Sequence, residues 1–158
     1  MSKVTNEIAK FITDVQLCFV ATVNEDGSPN LSPKGSLAAY ENDTVLFANI
    51  ASPATVENIK RNPAIEINVV DIFLRRGYRF RGTAEIMPEG TDEYSFVAEP
   101  MWKKNGDGYP VFNVVKVNVA KLEEVLSPAY TFGEGVTEES LRDDFAKKYA
   151  DQIPSTNA

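Results

Sequence analysis

Apolar positions recur along this chain with two different periods, and the periods divide it into elements. From Thr5 to Val15, Ile8, Phe11, Ile12 and Val15 fall at helical spacing and predict an amphipathic helix. Leu17 to Val23 is a continuous apolar run with β-branched and aromatic residues, which predicts a buried strand. Asp26-Gly27, inside Glu25 to Ser28, gives a hairpin turn. Pro29 then opens a strand expected to reach about Tyr40. In that strand Ser32, Lys34 and Ser36 share one face, because successive side chains alternate. Gly35 between them predicts a bulge or a close backbone approach. Glu41-Asn42-Asp43 turns the chain into a third strand, Thr44 to Asn49.

Ser52-Pro53 marks a helix start: a hydroxyl at the N-cap, and a proline at the first position, where the missing N–H is no loss. Thr55 lies in the first turn, Val56 and Ile59 make a short apolar face, and Asn62-Pro63 stops the helix. Ala64 to Leu74 alternates, with Ile65, Ile67 and Val69 opposite Glu66 and Asn68. After a turn at Arg75-Arg76-Gly77, Tyr78 to Met87 alternates again, with Tyr78, Phe80, Gly82, Ala84 and Ile86 against Arg79, Arg81, Thr83 and Glu85. Thr91 to Lys104 predicts a helix with Tyr94, Val97 and Ala98 inward, and Val111 to Ala120 a last strand. A loop from Ser127 to Tyr130 leads to a helix capped by Thr137, whose Leu141, Phe145 and Tyr149 form a narrow stripe facing the barrel or a partner. Gln152 to Ala158 is expected to fray. Closely spaced strands with hairpin turns and few long helices predict a mainly β protein, a small antiparallel barrel.

At 158 residues the chain is expected to be one domain, 1–158, with its core at about 15–127 and a C-terminal loop and helix over 128–158. No apolar run approaches the roughly 20 residues of a membrane span, and the N-terminus lacks a signal-peptide pattern, so no membrane and a cytoplasmic location are expected. The chain has no histidine, which removes Ser-His-Asp and Cys-His catalysis, histidine-ligated haem and the common zinc sites. Redox or acid–base chemistry here would rest on an organic cofactor. A net charge of −7 argues against a nucleic-acid partner, which needs a basic footprint. The single cysteine, Cys18, sits in an apolar run and reads as a buried hydrophobe. Glu123-Glu124, Glu138-Glu139 and Asp143-Asp144 read as solvated surface, since adjacent carboxylates do not face one another on a helix, and no metal site is expected.

The candidate chemistry centres on Ser28 to Pro63. A helix start with free N–H groups beside hydroxyls is an anion site, and Lys34 on the preceding strand adds positive charge. Arg75, Arg76, Arg79 and Arg81 form either a solvated face or, through Arg79 and Arg81, the wall of a phosphate or substrate groove. Trp102 reads first as a packing anchor at a helix end, with stacking on a ligand as the other option.

Three segments, GSPNLSPKGSL, TVENIKRNPAIEINVVD and RRGYRFRGTAEI, resemble the FMN-binding split-barrel family related to pyridoxamine 5'-phosphate oxidase, in the family's order and over roughly Val15 to Ser127. The resemblance implies a six-stranded antiparallel split barrel with peripheral helices, a homodimer, and FMN at the subunit interface. It places Ser32, Pro33, Lys34, Gly35 and Ser36 on the strand facing the flavin, and Asn49, Ser52 and Thr55 along the strand-to-helix segment, with Arg81 as a further contact. The implied activity is that of an oxidoreductase on a small-molecule substrate. A flavin carrier or sensor without turnover, and a split barrel using a deazaflavin, are the alternatives. In one place the chain departs from the family: relatives carry Arg or Lys in the loop occupied here by Pro53-Ala54-Thr55. Lys34, Lys60, Arg61 or an arginine from Arg75 to Arg81 would have to take over that role.

Overall fold

The structure is a computed structural model and describes residues 3–153. Helix α1 (Asn6–Val15) opens on Thr5, whose Oγ1 accepts from Ile8 N at 3.3 Å, and buries Ile8 and Ile12. Strands β1 (Cys18–Val23) and β2 (Pro29–Lys34) form the expected hairpin, with Gly27 at φ +83° in its turn. Then come β3 (Ala38–Ala39), β4 (Thr44–Asn49), α2 (Pro53–Arg61), β5 (Ala64–Asp71) and β6 (Arg76–Met87). Helix α3 (Asp92–Asn105), β7 (Asn113–Leu126), α4 (Ala129–Phe132) and α5 (Glu138–Ala150) follow.

All seven strands form one antiparallel sheet in the order β2-β1-β5-β6-β7-β4-β3, curled into a split barrel. Among the described residues the expected strand count of six is corrected to seven. The segment expected as one strand from Pro29 to Tyr40 bends at Gly35, so its two ends pair at opposite edges of the sheet. The close approach expected at Gly35 is found elsewhere. A Cβ there would lie 3.5 Å from Gln16 O, an ordinary contact, whereas at Gly77 and Gly82 it would come within 1.9 and 2.0 Å of the carbonyl oxygens of Val69 and Asn118. Gly82 also marks the register shift between β6 and β7, and a bulge at that point increases the local twist.

Strand β4 is buried along its whole length. Val45 and Phe47 join the core inside the curl, with Val20, Ile67, Phe80, Val115 and Val117. Leu46 and Ala48, on the other face, pack under α3 against Tyr94, Val97 and Ala98. A strand covered on both sides reads as a continuous apolar run, which is what VLFA is.

At the C-terminus, Ser127 to Tyr130 is not all loop: α4 starts at Ala129, and Tyr130 Oη donates to Leu74 O at 2.6 Å. Thr137 forms a capping box with Ser140. The stripe on α5 packs on the β5–β6 hairpin, with Phe73 edge-on to Tyr149 and the Arg75 guanidinium over the Phe145 ring. Most of the tail expected to fray lies outside the described residues. Among the described residues no helix is long and apolar enough to cross a membrane.

Candidate cofactor site

The end of β2 and the start of α2 meet at Lys34. Its side chain is 8% exposed, and Nζ donates to Ser32 Oγ at 2.5 Å, to Ser52 Oγ, and at 3.4 Å to Pro33 O. Every one of these acceptors is neutral, and among the described residues no carboxylate pairs with Lys34. A buried cation without a counter-charge is costly, because removal from water penalises the charged form. Accordingly, burial holds the Lys34 ammonium below its ordinary value of 10.5, with the neighbouring Cys18 thiol acting in the opposite direction. Cys18 is the residue paired with Lys34 across the hairpin, and burial pushes its thiol up to about 12, so it is inert as a nucleophile.

Ser52 stands at the N-cap of α2 but does not cap it: no side chain closes the first turn, and Pro53 follows at once. The expected hydroxyl cap is therefore corrected. Ser52 N donates instead to Asn49 Oδ1 at 3.2 Å, and Ser52 Oγ is taken by Lys34. The open helix start, with its partial positive charge, thus lies beside a buried ammonium. A cleft of about 390 Å³ opens at this helix start, walled by Asn49, Ser52, Pro53, Phe112, Asn113 and the Glu57–Lys60 pair, and it meets Lys34 through Ser52. Asn113 pairs with Asn49 in the β4–β7 ladder, and its buried Oδ1 has no hydrogen-bond partner among the described residues. Sequence reasoning passed over Phe112 and Asn113, which carry no local signal and reach the site only through that pairing.

The remaining expected residues lie elsewhere. Ser36 does not share a face with Ser32 and Lys34, because the bend at Gly35 intervenes; its Oγ accepts from Ala48 N at 2.9 Å. Thr55 is 1% exposed and points into a buried polar network under α2. There Asn30 Nδ2 donates to Thr22 Oγ1 at 3.2 Å and Thr55 Oγ1 at 3.4 Å, and Asn58 Nδ2 to Thr22 Oγ1 at 3.1 Å and Asn24 Oδ1 at 2.9 Å. The register separates Arg81 from Lys34. Lys34, Cys18, Val69 and Tyr78 form one row across the sheet, all buried on its inner face, whereas Leu31, Ala21, Glu66 and Arg81 form a row on the outer face. Pro33 is also on that outer face, opposite Phe19.

Among the cations considered as substitutes for the missing loop arginines, Lys34 borders the helix start, and Lys60, in the last turn of α2, lines the cleft. Lys60 is held at 2.7 Å by Glu57 on the surface. Arg61 binds Asn58 at 2.6 Å, Arg79 and Arg81 share Glu66 at 3.1 and 2.5 Å, and Arg76 bridges Glu124 and Glu138. Trp102 is a packing anchor: Nε1 donates to Tyr109 O at 3.1 Å, and the ring meets Tyr94 edge-on.

The family model for pyridoxamine 5'-phosphate oxidase matches residues 4–126, most of the chain. The chain belongs to the pyridoxamine 5'-phosphate oxidase family. No curated relative matches it. Among solved structures, HupZ of Group A Streptococcus is 34% identical with a TM-score of 0.64, over 78% of this chain and 94% of that one. An FMN-binding protein of Syntrophomonas wolfei gives a TM-score of 0.66 at 15% identity, over 77% of this chain and 86% of that one. HutZ, the heme storage protein of Vibrio cholerae, gives 0.57 at 20% identity, over 78% of this chain and 94% of that one. The last two, at such identity, show the fold alone. Family membership therefore stands on the match over residues 4–126 and agrees with the resemblance carried by the three sequence segments.

Proposed function

We propose that the chain binds FMN with its phosphate at Lys34, Ser32, Ser52 and the start of α2, and that it serves as an oxidoreductase for a small-molecule substrate. The observation that carries this reading is the Lys34 ammonium, buried on hydroxyls and lacking a carboxylate, beside a helix start that its own serine leaves uncapped. A phosphate supplies the missing counter-charge and accepts from the free N–H groups of the first turn. The donor set fits the group: one ammonium, two hydroxyls and backbone N–H groups. When bound, FMN supplies the redox chemistry, and the protein supplies binding, orientation and electrostatics.

The flavin site is shared by two copies of the chain. The outer sheet face exposes Leu17, Phe19 and Leu31, which are 48, 43 and 64% accessible, next to Arg79 and Arg81. Covering that strip with a second copy removes apolar surface from water and brings Arg81 toward a neighbour's site, where it cannot reach its own. Storage of heme, the role of HutZ, is the weaker reading, because this chain offers no histidine as an axial ligand. The visible spectrum of the purified protein, with mass spectrometry of what heat releases, tests the cofactor: FMN supports the reading, and a deazaflavin or porphyrin contradicts it. Reduction by NAD(P)H with steady-state turnover of an acceptor separates enzyme from carrier. Sedimentation tests the dimer, and a monomer that still holds FMN contradicts the shared site.

A further inference from the structure

A second, wider cavity lies beside β3. It is a groove of about 1050 Å³ between β3 and α3, with Ser36 in its wall. Tyr40 and Phe96 form its aromatic wall, their rings edge-to-face at 4.9 Å, and Phe96 keeps 46% of its surface exposed. Val97 and Met101 continue that wall. Its charged members are Glu41, Asp92 and Glu99 against Lys103. Three carboxylates therefore face one ammonium, on a chain whose net charge is already −7.

The negative field is felt inside the groove. The Tyr40 phenol is raised above its ordinary value, first by burial and then by Glu41, Glu93 and Asp92, with Lys116 opposing. Glu93 and Lys116 pair with each other at 2.8 Å, so they cancel locally and leave Glu41 and Asp92 as the charges that act on the Tyr40 phenol.

We propose that this groove is the substrate subsite, and that it takes organic cations with an aromatic or apolar body rather than phosphate esters. An aromatic body rests against Phe96 and Tyr40, and the cationic head meets the carboxylate rim. Edge-to-face and cation–π contacts with exposed rings favour such a ligand. A phosphate ester would meet three carboxylates instead, and like charges at a binding surface cost affinity. That the bound cation is the flavin's reaction partner rests on the cofactor site proposed above; Ser36, two residues from Lys34, borders the groove. The charge preference itself rests only on the groove.

The test uses the full chain and two probes of matched size, 1-naphthylmethylammonium and 1-naphthoate, titrated by equilibrium dialysis with and without FMN. The ammonium is expected to bind about tenfold or more tightly than the carboxylate, a difference of about 1.4 kcal/mol. Glu41→Gln with Glu99→Gln should remove most of that preference, whereas Phe96→Ala should weaken both probes. Circular dichroism checks that each variant is folded, and the exposed positions of Glu41, Phe96 and Glu99 make that outcome the expected one. Equal binding of the two probes, tighter binding of naphthoate, or a preference that survives the glutamine pair would overturn the proposal. Failure of FMN to bind, with the ammonium preference intact, would overturn the cofactor reading and leave the cation groove standing.

Discussion

Two helix starts in this chain carry the same kind of sequence and do different things. At α5, Thr137 accepts from Ser140 N at 3.1 Å, Ser140 Oγ accepts from Thr137 N at 3.0 Å, and the turn is closed. Thr5 and Thr91 likewise cap α1 and α3. At α2, Ser52 has the right residue type in the right place, yet its hydroxyl serves the Lys34 ammonium and the first turn stays open. The closed starts are complete as structure. The open one leaves both a cation and a helix terminus short of negative charge, and that shortage distinguishes a binding site from a well-made helix.

The sharpest way to break the comparison is Lys34→Met. It removes a charge-assisted contact worth about 1.5–3 kcal/mol, so FMN affinity should fall roughly tenfold to a hundredfold in a calorimetric titration. The ligand-free variant should melt no lower than the parent, because a desolvated cation without a counter-charge has been replaced by an apolar chain of similar length. A lowered melting temperature with unchanged FMN affinity would make Lys34 a structural residue.

Thr137→Ala sharpens the other side. Loss of a closed cap should cost about 1 kcal/mol in urea denaturation, with FMN affinity unchanged. Equal losses of FMN affinity in Thr137→Ala and Lys34→Met would erase the distinction between the two starts.

The pH dependence follows from the depressed Lys34 value. In the ligand-free protein the folded state loses this proton before the unfolded state does. Stability should therefore rise as pH climbs from the folded Lys34 value toward 10.5. FMN affinity should fall over the same window, since the phosphate needs the charged ammonium. Cys18 works against the stability trend: its thiol, raised from 9.0 to about 12, ionises first in the unfolded state and lowers stability above about pH 9. Cys18→Ala removes that opposing contribution, and a stability profile that still fails to rise would contradict the account of Lys34.

The smallest effect is expected at Arg81. Its pair with Glu66 is exposed, so Arg81→Gln should leave the denaturation midpoint unchanged. In a shared site it should still loosen FMN in the dimer. An unchanged FMN affinity would remove Arg81 from the cofactor contacts.

Most elements were legible because their signals are local. The apolar spacing of Ile8 and Ile12, the alternation of Ile65, Ile67 and Val69, and Thr137 at its cap each depend on neighbours a few residues away, and each is found as expected. What was missed depends on distant partners. Nothing near Gly35 says that the strand must end there, because the reason is the opposite destinations of β2 and β3 in the sheet. Local alternation puts Arg79 and Arg81 together but cannot say that their face is opposite that of Lys34; the β1–β2, β1–β5 and β5–β6 registers decide that. Ser36 looks like a companion of Lys34 until β4 supplies Ala48 N. Asn113 enters only through pairing with Asn49.

The central claim is that this site reads a phosphate, and one paired titration tests it most directly: FMN and riboflavin, each against the parent chain and Lys34→Met. The account predicts that the parent binds FMN at least about tenfold more tightly than riboflavin, and that the gap narrows strongly in Lys34→Met while riboflavin affinity hardly moves. Equal affinities for the two ligands in the parent, or an FMN preference that survives without the Lys34 charge, would contradict it.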